Sequence, residues 1–411
     1  MRRTIFALSL FFIQCYLVVN GVYLFDKLVN PFYLFIVSLL IPVYYLKLLR
    51  SDKKNNSSTY ANLFRTVGLL IGFFSILICV PQLHKIFYQC SDPGKGSDII
   101  PQLTTLYNRF SKGIFPYYPL EQLPWHPFPV YMPLHWLPLW IAYTLHFDIR
   151  WIGVFFLAIS CAIYGCSTNT RTPLLKYIVV ALLPSVALWG FIEFNGWTLG
   201  VTFEIIIAAY YLVLAAGLSS SNIIITTLGI IFCLLSRYTV IFWLPFFLIL
   251  LWYNASLRQN IIVWSCIAAS IVCFYVIPFY LKDPSILSKS IAYHNQCYID
   301  QWNGLGNPAQ SEAFNDGLNF SYFTRAAFKG SIAQRVFYAR VIQAVLMIFL
   351  NVLGLLMYKK WKAKIHYYEI SLILLYLIIF VFFISSPLTY KYYYLDFLVI
   401  SAVICGKIIV Y

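Results

Sequence analysis

"IIITTLGIIFCLLSRYTVIFWLPFFLILLWY", Ile223 to Tyr253, carries a single charge, Arg237. A run of about 20 apolar residues is long enough to cross the hydrocarbon core of a bilayer. The stretch therefore predicts two membrane helices with an arginine between them. The rest of the chain agrees. Of 411 residues 61% are hydrophobic and 10% charged, and the mean hydropathy is +0.77. A soluble domain carries about 25% charged residues. The predicted fold class is all-α, a single polytopic membrane domain.

Two long polar loops interrupt the apolar runs, 84–131 and 281–336. No internal repeat or low-complexity segment is evident. The net charge of +15 calls for no nucleic-acid partner, because Lys and Arg accumulate in the cytoplasmic loops of membrane proteins and set their orientation. The most basic short loops are "KLLRSDKK" (Lys47 to Lys54) and "KKWKAK" (Lys359 to Lys364), followed by "STNTRTPLLK" and "NASLRQN". Arg2 and Arg3 precede the first apolar run without a small-residue cleavage site, so that run reads as an uncleaved first span with a cytoplasmic N-terminus. Residues 1–50 read as a hairpin of two spans.

Counting onward places loop 84–131 outside. If 132–147 and 150–167 both crossed, "KKWKAK" would fall outside and loop 281–336 inside, against the charge rule. The first of these runs, "PLHWLPLWIAYTLHF" (Pro133 to Phe147), is short and interrupted by prolines, which break helices. It is expected to be re-entrant or interfacial, giving about 12 true spans with both long loops extracytoplasmic; an ordinary short span is the alternative. The abundance of Ile, Tyr, Lys and Asn suggests a bacterial chain, hence the inner membrane.

Ten cysteines show no CxxC and no metal spacing. Eight lie in apolar runs, where cysteine behaves as a small hydrophobe. Cys90 and Cys297 lie in the two long loops and would be able to pair if both faced an oxidising compartment.

On this topology the outer face gathers loop 84–131, "EFNGW" (Glu193 to Trp197), "SRYT" (Ser236 to Thr239) and loop 281–336. An arginine at membrane depth costs roughly 2.5–3.5 kcal/mol on insertion scales, so Arg237 needs an anion. A phosphate or lipid headgroup would serve; snorkelling from a plain turn is the alternative. Glu204 reads as a hydrogen-bonded core residue below "EFNGW", or as a proton-relay group. Loop 84–131 holds Asp92, Asp98, Glu121 and His126 among Tyr107, Phe115, Tyr117, Tyr118, Trp125, Phe128 and Tyr131, a mixture that suits sugar rings and interfacial packing equally. Ile99, Ile100, Leu103, Leu106 and Phe110 recur at helical spacing, which predicts an amphipathic helix along the membrane surface.

An Asp opening the first outer loop, an amphipathic stretch, the turn "GIFPYY" (Gly113 to Tyr118) and the proline-aromatic entry "HPFPVYMPLHWLPL" (His126 to Leu139) resemble the GT-C glycosyltransferases. Closest is the polyprenyl-phosphate-mannose-dependent mannosyltransferase-like group. "FNGWTLGVTFEIII" is similar to that group's polar turn before a span, and "LLSRYTVIFWLPFFLILL" to its Lys/Arg-centred segment. The resemblance covers roughly residues 63–253. It departs in reading Tyr131-Met132-Pro133 where the group has Tyr-Pro-Pro, in Arg237 where Lys is common, and in the added hairpin.

The resemblance implies an inverting hexosyltransferase that passes sugar from a polyprenyl-phosphate donor to a hydroxyl of a lipid or glycan acceptor. A phosphate leaves without protonation, so one base suffices, whereas glycosidases need two carboxylates. Asp98 is the implied base, with Asp92 in reserve. Arg237 would hold the donor phosphate. His126 would add a phosphate or acceptor contact, and Glu121, Glu193, Asn195 and Tyr117 would contact substrate. Loop 281–336, with "YHNQCYIDQWNG", would cover the site. No metal and no cofactor are expected. A lipid-linked sugar flippase would instead show repeats and intramembrane charges, of which only Glu204 stands out. An O-antigen-type polymerase or ligase would use arginines of the outer loops, such as Arg325 and Arg335.

Overall fold

The structure is a computed structural model that describes residues 2–51, 61–92, 94, 97–121, 123, 126–168, 173–304 and 317–411; the side chains at 61–64, 194 and 195 lie outside that description. Among the described residues the chain is all-helical, without a strand. In order the helices are α1 (Arg2–Leu49), α2 (Ala61–Ser75), α3 (Val80–Gln89), α4 (Ile99–Ser111), α5 (Pro133–Trp136), α6 (Leu139–Leu145), α7 (Arg150–Ser167), α8 (Leu174–Val201), α9 (Glu204–Ser220), α10 (Ile223–Leu234), α11 (Leu244–Asn254), α12 (Leu257–Ile271), α13 (Ile286–Asn303), α14 (Ser321–Ala327), α15 (Ile332–Trp361), α16 (Tyr367–Ser385) and α17 (Tyr394–Val410). Helices satisfy every backbone group within the segment, which is what lipid demands.

Among the described residues eight helices are long and apolar enough to cross a membrane, and three more are apolar but shorter. The protein is a polytopic membrane protein. The expectation of about 12 spans differs from this count for definite reasons. The 48 residues of α1 would stretch about 72 Å if straight. Instead the chain reverses at Asp26 (φ 66°, ψ 156°), and Phe6 meets Tyr44 with ring centroids 4.6 Å apart. Gln14 Nε2 donates to Ser38 Oγ at 2.8 Å, so the two arms run side by side as a hairpin. The runs 222–236 and 238–253 become α10 and α11, of 12 and 11 residues. At about 18 Å each falls short of a bilayer core of about 30 Å, because the chain is extended at Arg237 (φ −137°, ψ 116°). Segment 132–147 holds only α5 and α6, of four and seven residues, also too short to cross.

The centre of the bundle is α9 and α17, whose residues are buried nearly all round. Helices α12 and α15 are peripheral and present Ile261, Trp264, Val345, Ile348 and Phe349 outward, a surface suited to lipid. Where α2 crosses α7, a Cβ on Gly165 would stand 2.1 Å from the Gly68 carbonyl oxygen. Small residues of this kind let membrane helices approach backbone to backbone.

The N-terminal hairpin is tied to the last two helices by a buried polar knot. Gln14 Nε2 also donates to the Tyr376 hydroxyl at 2.8 Å, Tyr376 donates to Ser38 O at 2.8 Å, and Ser401 Oγ donates to Gln14 Oε1.

The basic loops share one end of the bundle, where the Arg50 guanidinium lies 4.7 Å from the Trp361 ring. The two long loops meet at the other, where Ser290 Oγ donates to Pro129 O at 3.4 Å. There a buried arginine acts as a clamp. Arg150 Nη1 donates to Cys90 O (3.0 Å) and Gly200 O (2.7 Å), and Nη2 to Phe87 O (2.8 Å), satisfying terminal carbonyls of α3 and α8 while Asp148 holds its other edge.

Candidate active site

Arg237 sets the geometry of this end. Leu134 N–H donates to Leu235 O at 2.7 Å, so α5 docks across the break between α10 and α11. The guanidinium turns inward with 14% of the side chain exposed, and pairs with Glu204 and, at 3.1 Å, with Asp396, both 0% exposed. The anion that its burial demands is thus supplied by the chain. Both carboxylates sit in the first turn of their helices, α9 and α17. A helix N-terminus carries about half a positive charge, which favours a carboxylate in the first turn. The Tyr393 ring lies 4.5 Å from the guanidinium carbon.

Beside this triad is a cavity of about 130 Å³, lined by Tyr131, His135, Ser236, Arg237, Tyr238, His294, Cys297, Tyr298 and Tyr393 with apolar neighbours. Its walls come from loop 84–131 and α5, from the Arg237 break, from α13 and from the α16–α17 turn. His135 is 1% exposed, and among the described residues neither ring nitrogen has a hydrogen-bond partner. Burial, seconded by the Arg237 charge, holds its pKa well below the usual imidazole range. The ring packs edge-on to Tyr131 at 4.9 Å and parallel to Phe203 at 6.1 Å. His294 is pushed down to about 4 by burial and by the charges of Arg340 and Arg237. Arg340, on α15, lies 5.9 Å from the Tyr298 ring and donates to Asn295; no carboxylate pairs with it among the described residues.

Asp98 does not line the cavity but lies close enough for its charge to act on the wall. It stands half-buried at the residue before α4, and Gln102 Nε2 donates to its Oδ2 at 2.6 Å. Its charge reaches Tyr131 and Cys297, on the cavity wall, and Tyr293 beside them, raising all three pKa values in company with burial. Arg109 folds the following turn back onto α4, donating to Pro116 O (3.0 Å), Tyr118 O (2.6 Å) and Pro119 O (2.9 Å).

The other residues singled out in the sequence disperse. Tyr117 is buried, donating to Tyr131 O at 2.9 Å and accepting from Trp136 Nε1 at 3.4 Å; it braces the cavity wall from behind. Glu121 is exposed, near enough to Arg109 to act on its charge. His126 is exposed, with φ +41°, and Asp92 is exposed. Glu193 is exposed on α8, away from the cavity lining, and the side chain of Asn195, like Trp125, lies outside the described residues. Cys90 and Cys297 are both free thiols; the first packs against Gly200 while the second faces the cavity. Arg335 donates to Gly330 O and Arg325 O, closing a turn of its own. Among the described residues no group of three or more His, Cys, Asp or Glu could hold a metal ion.

Sequence reasoning missed Asp396, His135, His294 and Arg340. Asp396 was hidden in an apolar run, yet intramembrane charges pair with one another, and Arg237, Glu204 and Asp396 are charges set in such runs. His135 had no signal beyond its position in a broken segment. Compared with family models, with curated proteins and with solved structures, the chain has no match.

Proposed function

We propose that the protein is a membrane glycosyltransferase of the GT-C type, with a cytoplasmic N-terminus and both long loops on the extracytoplasmic face of a bacterial inner membrane. It would move a hexose from a polyprenyl-phosphate donor to a hydroxyl of a lipid or glycan acceptor. The observation that carries this reading is the nearness of Asp98 to a polar, aromatic cavity, whose wall residues Tyr131 and Cys297 feel its charge, where both long loops meet the interrupted α10–α11 segment.

Asp98 takes the proton from the acceptor hydroxyl. The oxygen bonds to the anomeric carbon from the face opposite the phosphate, the bond from that carbon to the phosphate oxygen breaks, and the electron pair leaves on the phosphate, inverting the centre. Gln102 orients the carboxylate through the bond to Oδ2. Arg237 is already engaged by two carboxylates, so the phosphate contact passes to Arg340, whose guanidinium stands beside His294 and Tyr298 without an acidic partner among the described residues.

The test is sugar transfer by the purified chain from radiolabelled polyprenyl-phosphate hexoses to a membrane-lipid acceptor extract. Removing a general base costs about 10²–10⁴-fold, and Asp98→Asn should lose that much while melting like wild type. Transfer surviving in Asp98→Asn and Asp98→Ala would remove Asp98 from the mechanism. A lipid-linked sugar flippase is the second reading, favoured by the buried Arg237–Glu204–Asp396 triad, since transporters place charges at depth. It predicts donor movement across vesicles with no transfer product.

A further inference from the structure

Between the first arm of the α1 hairpin and α8 lies a groove of about 540 Å³ that shares no residue with the polar cavity. Phe12, Ile13 and Leu24 line it from the hairpin, and Val186, Trp189 and Gly190 from α8. A Cβ added at Gly190 would meet nothing within 4 Å. At membrane depth such a groove holds hydrocarbon, since apolar cavities exclude water. Phe12 and Leu24 are separated by about 18 Å of helix, a little more than the hydrocarbon of one leaflet, about 15 Å. The groove therefore fits one chain of a lipid, from headgroup level to the bilayer midplane.

The headgroup end is the end of the two long loops. Just past the hairpin reversal Asn30 Nδ2 donates to Gly317 O at 2.9 Å, and the far end of α8 is held there through Gly200 O. Tyr23 on the hairpin and Trp197 on α8 are 82% and 57% exposed, and such rings collect at the membrane interface. Charges stand between that level and the groove. Asp26 and Lys27, both exposed, follow the lining residues Leu24 and Phe25. Glu193, also exposed, follows Trp189 and Gly190 by four and three residues, which puts it on the groove face of α8. The Cα–Cβ bond of a helical residue tilts toward the helix N-terminus, here back over the groove. Two acids with one lysine complement a headgroup that carries an ammonium beside its phosphate. A headgroup with a phosphate and no cation would meet the acids with nothing to offer.

We propose that this groove binds a phospholipid with a primary ammonium, of the phosphatidylethanolamine class, with one acyl chain between the hairpin and α8, the ammonium at Glu193 and the phosphate at Lys27. The inference goes beyond the transferase reading and does not depend on it. It makes a bound lipid part of the seam that joins the N-terminal hairpin to the bundle.

The test is native mass spectrometry of the full chain, delipidated in detergent and titrated with the dioleoyl forms of phosphatidylethanolamine, phosphatidylcholine and phosphatidylglycerol. Wild type should retain one phosphatidylethanolamine most tightly, then phosphatidylcholine, which keeps the cation without an N–H, then phosphatidylglycerol. Gly190→Leu puts a side chain into the open groove and should weaken phosphatidylethanolamine binding by about tenfold or more, the worth of a few methylenes kept out. Glu193→Gln should weaken it by about two- to fivefold, the range of an exposed ion pair, and should not weaken phosphatidylglycerol. If Gly190→Leu fails to fold, Ile13→Trp fills the groove from the hairpin and should have the same effect. Phosphatidylglycerol held as tightly as phosphatidylethanolamine, wild-type binding in the groove-filling variants, no change in Glu193→Gln, or a lipid-free dimer in place of the lipid-bound chain would each overturn the site. Sugar transfer is measured separately, so any of these results would leave the transferase reading standing.

Discussion

Replacing Arg237 with methionine separates a structural charge from a ligand-binding one. In wild type one guanidinium faces two carboxyl groups, Glu204 and Asp396, which are both 0% exposed. Arg237→Met strands both carboxyl groups. Removing one partner of a buried ion pair costs about 3–5 kcal/mol, because the remaining charge is left uncompensated. Unfolding entropy near 2.1 cal/mol/K per residue over 411 residues gives about 0.86 kcal/mol/K, so that loss lowers the melting temperature by about 4–6 °C. Asp396→Asn leaves a neutral Arg237–Glu204 pair and loses one charged hydrogen bond, about 1.5–3 kcal/mol, or about 2–3 °C. The assay is thermal unfolding in one detergent, without lipid donor, followed by tryptophan fluorescence. Had Arg237 served only a phosphate ligand, Arg237→Met would leave the ligand-free protein untouched. A melting temperature within 1 °C of wild type, or one equal to that of Asp396→Asn, would refute the electrostatic account.

Arg150→Met should be comparably damaging, about 3–5 kcal/mol, since it orphans the carbonyls of Phe87, Cys90 and Gly200; the same melts, with Asp148→Asn as the milder control, check it. Gln14→Leu should cost about 1–3 kcal/mol by opening the knot to Ser38, Tyr376 and Ser401, and limited proteolysis should then release the N-terminal hairpin; a digestion pattern identical to wild type would count against the knot. His294 should make stability pH-dependent. Its pKa falls from 6.5 to about 4 on folding, so between those values the unfolded chain binds a proton that the folded chain does not. Stability is full above about 6.5 and declines toward pH 4, by up to about 1.4 kcal/mol per unit and by less because the ring is only partly buried. His294→Gln should flatten the melting-temperature profile between pH 4.5 and 7, and parallel profiles would exclude His294.

Much of the fold was legible because lipid leaves the chain few options. Apolar length and basic loops pointed to helices, to the hairpin of residues 1–50 and to the shared end of the two long loops. The helix at 99–111 was legible from Ile99, Ile100, Leu103 and Leu106, all buried along one side. What failed was the inference from run length to span, since α10 and α11 end at Arg237 where hydropathy alone runs on. The site was legible at its edge and illegible inside. Asp98 opens a polar loop and draws the eye, but Asp396 gains its role only from Arg237, 159 positions away, and nothing in local composition carries that distance.

The triad also explains why the cavity has room for a substrate. A plain turn between two helices would let the chain tips pack together. At Arg237 the backbone is extended and the side chain is drawn inward by two carboxylates fixed at helix N-termini, so the break cannot close without parting those pairs. Replacing such a network by apolar residues of like volume is often neutral or stabilising, so stability alone does not account for keeping it. What the charges provide is a wall of fixed shape beside the cavity. The triple substitution Arg237→Met, Glu204→Gln, Asp396→Asn therefore separates the two roles: it should recover most of the melting temperature that Arg237→Met loses, and still transfer sugar more slowly than wild type. Recovery of both would make the triad a relic of packing, and recovery of neither would place its electrostatics in the fold itself.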